Sequence, residues 1–180
     1  LLAEIAATGD RVLVLEDTVE LQCAARDHVP LRTRAGVVSM TELVRSSMRL
    51  RPDRVVVGEV RGAEALDLIK VWGTGHPGGI ATIHAGSALG ALLRLEQLIL
   101  EVAVNPPRAL IAEAVNVVIH IAGRGRKRRI ESIARVVGFD GVGYRLADAM
   151  DAPFPELPPL PDAAPAAATS PSLDLSGELP

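Results

Sequence analysis

Three apolar segments of this chain are each followed by polar side chains that could take part in phosphate chemistry. In chain order these side chains are Glu16, Asp17, Glu20, Glu59, Arg61 and His84. In phosphoryl transfer to water, a carboxylate can orient the water molecule or hold Mg²⁺, and cations stabilise the charge that develops. If the three segments are adjacent parallel strands, their ends meet in one crevice, where ligands of such sheets bind. The pattern therefore predicts one shared site.

The segments that carry these side chains have the pattern of an alternating α/β fold. Three consecutive valines at 55–57 predict a strand that is buried on both faces. Ser39 and Glu42 have the spacing of a capping box, which predicts the start of a helix that ends before Pro52. The prediction comprises strands at 11–15, 55–57 and 80–84, and helices from 40 to 48, 65 to 72, 87 to 102 and 106 to 114.

After residue 114 the pattern changes to that of antiparallel strands. Segments 115–122, 129–139 and 143–146 alternate in polarity, and Asp140 and Gly141 form a hairpin-type turn signal. We therefore expect one α/β domain over residues 1–150, with a parallel sheet and an antiparallel β extension.

Each candidate residue also has an ordinary structural interpretation. Acidic side chains at strand ends can cap a helix or lie in solvent, a lone histidine is more often structural, and Arg61 could serve only as an ion-pair partner. The glycine-rich loop at 73–79 lacks the Lys-Ser/Thr of a phosphate-binding loop, so its glycines are better explained by backbone turns with positive φ. The basic run at 124–129 fits a solvated hairpin tip better than a membrane or partner contact.

Composition restricts the class of protein further. Of the residues, 48% are hydrophobic, which suffices for a core, and a single cysteine excludes an intrachain disulfide framework and fits a reducing cytoplasm. The net charge is −3, and residues 1–150 alone carry +2. This charge is too small to predict direct nucleic-acid binding. The apolar stretches are too short and too often interrupted by charge to cross a bilayer.

The last thirty residues differ in composition from the rest. Residues 151–180 contain eight of the thirteen prolines and five acidic residues but no basic ones. Such a segment cannot bury enough apolar surface to offset its chain entropy, so we predict a disordered, Pro/Ala-rich acidic tail with local polyproline II character. A Pro-rich docking peptide is the alternative.

Two features predict that the chain is a fragment. The sequence has no match to G-x-x-x-x-G-K-[ST], the loop that surrounds the phosphates in most nucleotide-hydrolysing α/β domains. The first residue is not Met, and the first eight residues have helical apolar spacing with no capping signal before them. We expect a helix whose beginning lies upstream.

Three of the motifs resemble those of the type II/type IV secretion and conjugation ATPases. The segment from Arg11 to Gln22 is similar to their Asp box, the segment from Leu50 to Arg61 to their atypical Walker B motif, and the segment from Gly78 to Ala85 to their His box. Segments 110–116 and 137–141 resemble more narrowly the TrbB-like conjugal-transfer branch. The resemblance covers residues 1–148.

The resemblance implies that the chain is the C-terminal part of a RecA-like P-loop core. It also implies a ring hexamer that lies on the cytoplasmic face of the inner membrane and hydrolyses ATP with Mg²⁺. It implies that Glu59 has the Walker B role and acts on Mg²⁺ through its hydration shell, that Glu20 acts on the attacking water and that His84 senses the γ-phosphate. Supporting roles fall to Asp17, Arg61 and Arg49. Without the phosphate-binding loop we expect this chain alone to be inactive. The partners implied by the resemblance are further copies of the chain and inner-membrane secretion or conjugation components, with peripheral membrane contact. The alternative is a non-catalytic interaction subunit of the secretion machinery.

Overall fold

The protein is described by a computed structural model that covers residues 1–76 and 78–149. Its centre is a parallel sheet of four strands, in the order β2-β1-β3-β4. The bounds are Val12–Glu16 for β1, His28–Arg32 for β2, Arg54–Val57 for β3 and Ile80–Ala81 for β4. All five residues of β1 and the three valines of β3 are buried, as the sequence predicted for strands covered on both faces.

The side chains of the two central strands alternate between two cores. Leu13 and Leu15 of β1 pack, together with Val57 of β3, into the larger core. Val12 and Val14 point to the other face and form a smaller core. This division follows from the two-residue period of a strand, which sends successive side chains to opposite faces.

Five helices occur in the described part of the chain, and four of them cover the larger core. Their bounds are Leu2–Ala6 for α1, Met40–Ser47 for α2, Glu64–Gly73 for α3, Ala88–Ile99 for α4 and Arg108–Ala114 for α5. Helix α1 contributes Ile5 to the smaller core instead. None of the helices in the described ranges is long and apolar enough to span a membrane.

The antiparallel extension is a separate three-stranded sheet with the order β5-β6-β7. Its strands are Val117–Ala122, Arg129–Phe139 and Tyr144–Asp148. Val136 of β6 is buried in the larger core, so one face of this sheet packs on the helices. At the predicted turn, the amides of Val142 and Gly143 each donate to Asp140 Oδ1 at 2.9 Å. The prediction of a parallel sheet with an antiparallel extension is confirmed.

Two strand predictions differ from the structure. Strand β2 was not predicted, because Pro30 lies in its middle; the strand tolerates proline because it is at the edge of the sheet. Strand β4 is shorter than the predicted 80–84, since only Ile80 and Ala81 pair with β3. Residue Thr82 still contacts the neighbouring segment, where its carbonyl accepts from the Val60 amide at 2.9 Å.

The predicted capping box is present at the start of α2. The Ser39 hydroxyl accepts from the Glu42 amide at 3.3 Å, and the Glu42 carboxylate accepts from the Ser39 amide at 2.7 Å. Each contact satisfies a backbone N–H that has no partner within the helix.

We expect Ser39→Ala to lower the free energy of unfolding by about 1 kcal/mol, the usual effect of losing a side-chain cap. Urea denaturation of the variant beside the wild type measures this difference. Ser46→Ala, an exposed change on the same helix, is the matched control. Equal stability of the two variants would show that the cap contributes nothing.

The capping box also predicts a pH dependence. The Ser39 amide and hydroxyl hold the pKa of Glu42 below its usual value of about 4.5. A lowered pKa means that Glu42 contributes stability above the unfolded-state pKa and loses this contribution as the pH falls through the folded-state pKa. Glu42→Gln keeps an acceptor but has no proton to bind. We therefore expect its unfolding midpoint in urea to fall less steeply than that of the wild type below about pH 4.5; superimposable profiles would contradict this.

Candidate functional site

The candidate site lies where β1 and β3 end side by side. Leu15 pairs with Val57, so Glu16 and Gly58 are the next residues at the same edge of the sheet. The Gly58 amide donates to the Leu15 carbonyl at 2.9 Å. A Cβ at Gly58 would lie 3.3 Å from Glu16 Cγ, tighter than usual packing allows. Glycine at this position therefore lets the two strand ends remain close together.

Glu16 is the buried residue that shapes the turn after β1. The residue is only 5% exposed, and its Oε1 accepts from the amides of Glu20 at 2.9 Å and Leu21 at 2.8 Å. The cost of burying a carboxylate is offset when it accepts such hydrogen bonds. Glu16 therefore orders the turn that carries Asp17 and Glu20.

Asp17 and Arg61 form an ion pair that connects the β1 end to the β3 end. Asp17 Oδ1 also accepts from the Thr33 hydroxyl at 2.7 Å. The Arg61 amide in turn donates to Glu64 Oε1 at 2.7 Å, and the Gly62 amide donates to the same oxygen at 2.9 Å. Both strand ends are thus fixed by polar contacts to neighbouring segments.

Glu59 and His84 form the second pair between strand ends. His84 Nε2 lies 3.3 Å from Glu59 Oε1. The histidine side chain is 92% exposed and that of Glu59 is 35% exposed. An exposed imidazole is not a satisfied core histidine, so the common structural explanation for His84 does not apply.

A groove of about 700 Å³ lies beside these pairs. It runs between the strand ends and the segment from Thr33 to Met40 that follows β2. Its charged lining residues are Asp17, Arg34, Glu42, Glu59, Arg61 and Glu64. The lining therefore has four carboxylates and two guanidinium groups. This excess of negative charge suits a polyphosphate that binds together with its own cation better than it suits an anion that binds alone.

The structure brings together some of the predicted site residues but not all. Asp17, Glu59 and Arg61 line the groove, and His84 contacts Glu59. The Glu20 side chain is exposed and does not line the groove, although Glu16 fixes its backbone. Arg49 is exposed in a short 3₁₀ turn, Met48–Leu50, and also lies outside the groove lining.

Among the polar residues of the groove, Thr33, Arg34 and Glu64 were not named at all by the sequence analysis. Thr33 and Arg34 follow β2, the strand that was not predicted, so no pattern placed them at this edge. Glu64 could have been identified from its position in the first turn of α3, because acidic residues are favoured there.

The described glycines of the 73–79 loop have a structural role at the amino-terminal end of β3, opposite the candidate site. Arg54, the first residue of β3, donates to the Gly78 carbonyl at 3.1 Å. Gly75 and Gly78 have positive φ values of 96° and 78°. These values support the interpretation of the loop as a tight connection that requires glycine.

Comparison with known proteins identifies the class. Residues 1–131 match the family model described as "Type II/IV secretion system protein". The chain belongs to this family, which confirms the resemblance drawn from the three motifs.

The chain is most usefully compared with three members. It is 47% identical to a conjugal transfer protein TrbB of Rhizobium radiobacter, over 81% of this chain and 45% of that protein. It is 49% identical to a probable TrbB of Sinorhizobium fredii, over 78% and 43%. The crystal structure of the VirB11 ATPase from the Brucella suis type IV secretion system, in complex with sulphate, superposes with a TM-score of 0.62 at 31% identity, over 70% of this chain and 40% of that one. The chain thus spans less than half the length of these relatives.

We expect Glu16→Ala to destabilise the protein by roughly 1–3 kcal/mol, because the amides of Glu20 and Leu21 lose their acceptor. Glu20→Ala, which removes an exposed carboxylate from the same turn, is the matched control and should leave stability unchanged. Urea denaturation of both variants gives the comparison. A Glu16→Ala effect no larger than that of Glu20→Ala would mean that the turn does not depend on the buried carboxylate.

Proposed function

We propose that these residues form one side of the nucleotide site in a RecA-like P-loop ATPase that powers conjugal transfer or type IV secretion. The observation that carries the proposal is the meeting of two carboxylates with basic side chains, Asp17 with Arg61 and Glu59 with His84, at the carboxyl ends of the parallel strands. The names of the similar proteins support the choice of process. Residues 1–180 contain no G-x-x-x-x-G-K-[ST] loop, so the proposal concerns only the carboxylate side of the nucleotide site.

Glu59 has the position and exposure that the Walker B role requires. It follows a buried strand and reaches the groove while remaining partly exposed, so a water molecule can approach it. His84 holds one carboxylate oxygen of Glu59 from the next strand end. A γ-phosphate that drew His84 away would therefore also change the hydrogen bonding of Glu59, which gives a physical basis for phosphate sensing.

The donor set fits Mg²⁺ held through water and phosphate rather than in a protein cage. The described residues contain no cluster of three or more metal-ligating side chains. Mg²⁺ commonly keeps several waters and binds through one or two carboxylates and substrate phosphates. Glu59 and Asp17 would contribute the carboxylates at this edge; the ion would neutralise phosphate charge.

The proposal also assigns roles to Glu20 and Arg49 and includes assembly into a ring. Glu20 lies at the end of a turn ordered by Glu16 and has a solvent-exposed carboxylate that is free to act on water. Arg49 is exposed away from the groove, so its supporting role would be exerted across the interface of a ring hexamer. We place this ring in the cytoplasm, peripheral to the inner membrane beside other secretion components.

The test uses the protein produced from its complete reading frame. We expect Glu59→Gln to keep nucleotide binding but abolish turnover, because the amide preserves shape while losing charge and basicity. Glu20→Gln should slow turnover on the order of 10²-fold or more if Glu20 acts on the attacking water. His84→Ala should uncouple hydrolysis from ring motion with little change in affinity.

Nucleotide affinity, turnover and thermal midpoint are measured on the same samples. Glu113→Gln, an exposed glutamate on α5, is the matched control and should behave as wild type. Losses of turnover that only follow losses of thermal midpoint would mean that the residues are structural. A wild-type protein that binds ATP without turnover would favour a non-catalytic interaction subunit.

A further inference from the structure

The outer face of the antiparallel sheet carries exposed apolar side chains that the described residues leave uncovered, together with Arg135 opposite Val117. The inner face of the sheet packs on the helices through buried Ala134 and Val136. On the other face, cross-strand pairing places Ile119 beside Ile133 and Ile121 beside Ile130. The exposed apolar residues of these strands are Val117, Ile119, Ile121, Ile130 and Val137. Contiguous exposed apolar residues mark a binding surface more often than scattered ones do.

A concentrated positive charge adjoins the Ile121–Ile130 end of this face. The turn between β5 and β6, residues 124–129, holds five basic residues, all exposed, and is called here the cationic tip. Within the described ranges only Arg129 of these five forms an ion pair, with Glu131 at 3.4 Å. The surface therefore suits a ligand that is both acidic and apolar.

The chain itself leaves β7 in the direction of this surface. Asp148 pairs with Ala134 of β6, and the Ala149 amide donates to the Ile133 carbonyl at 2.9 Å. Because β7 is antiparallel to β6, the chain is moving toward Arg129 where the description stops. At about 3.3 Å per residue, roughly four further residues would reach the cationic tip.

The segment that follows has the chemistry that the surface requires. Residues 151–162 contain three acidic residues, five prolines and no basic residue. Phe154, Leu157 and Leu160 recur every third residue. Polyproline II has three residues per turn, so this spacing aligns the three apolar side chains on one edge. Glu156 and Asp162 recur on a second edge by the same period.

We propose that residues 151–162 dock on this chain's own antiparallel sheet as a polyproline II segment. The Phe154, Leu157 and Leu160 edge, about 19 Å long at 3.1 Å per residue, lies along the exposed isoleucines of the outer face with Leu157 nearest Ile130, and the acidic edge faces the cationic tip. The composition of this segment does not allow it to form a hydrophobic core by itself. Docking on a preformed surface does not require such a core. The short connection keeps its effective concentration high, so even a weak contact is occupied.

The test is disulfide trapping in the chain of residues 1–180. In a Cys23→Ala background, Leu157→Cys is combined with either Ile130→Cys or Val137→Cys. The two β6 positions are matched, because their exposures are 60% and 61% and they lie three and four residues from Ile133, on opposite sides of it. Because the chain leaves β7 toward Ile130, a freely moving tail would also favour that pair to some extent. The salt dependence and the charge reversals therefore separate docking from simple proximity, and a rate ratio that neither of them changes would overturn the proposal.

We expect the Ile130 pair to form its disulfide at least about tenfold faster than the Val137 pair at low salt, as judged by intact mass. Near about 1 M salt, where the Debye length is about 3 Å, the ratio should fall. Arg126→Glu with Lys127→Glu should lower it in the same way, and adding Glu156→Lys with Asp162→Lys should restore it.

Equal rates for the two pairs at low salt would overturn the proposal. Disulfides that form only between two chains would also overturn it and assign the face to a second copy. Equal rates together with co-sedimentation on phosphatidylserine vesicles would assign the surface to an anionic membrane instead.

Discussion

The candidate site depends on the register between β1 and β3 and on the buried carboxylate that follows it. Because Leu15 lies opposite Val57, the strands end together and their polar residues meet. A slip of one residue would exchange the two faces of β3 and move its valines from one core to the other, where they would not fit the existing packing. Apolar packing therefore fixes the position of Glu59. Glu16 converts the strand end into an ordered turn, since its buried oxygen accepts two backbone amides.

What could be predicted from the sequence was local. The capping box at Ser39 and the triple-valine strand are determined by neighbouring residues, and the structure has them. Strand β2 could not be predicted, because Pro30 contradicts strand propensity and only its edge position makes it acceptable. Because Thr33 follows β2, it was not predicted either, although its hydroxyl donates to Asp17. The motifs likewise assigned a role to Arg49 but contain no information about which surface it occupies.

The site holds its charges as internal pairs rather than as free groups. Asp17 is paired with Arg61, and Glu59 with His84. Partly exposed ion pairs contribute little to stability, so a ligand can exchange one partner at low cost. A phosphate that attracted Arg61 and His84 would leave Asp17 and Glu59 free to contact water or Mg²⁺. Pairing across different strand ends would thus make the arrangement responsive to a nucleotide.

The antiparallel sheet is attached to the rest of the fold by a polar cluster. Glu96 of α4 is buried and accepts from Arg108 Nε of α5 at 2.9 Å. Burial and the neighbouring Glu96 carboxylate raise the pKa of Tyr144 on β7, which keeps its hydroxyl protonated. Phe139 packs edge-on against Tyr144 with ring centroids 5.4 Å apart. Because buried ionic groups require specific partners, this cluster favours a single orientation of the sheet. The outer apolar face and the cationic tip are therefore held in a fixed position relative to the helices.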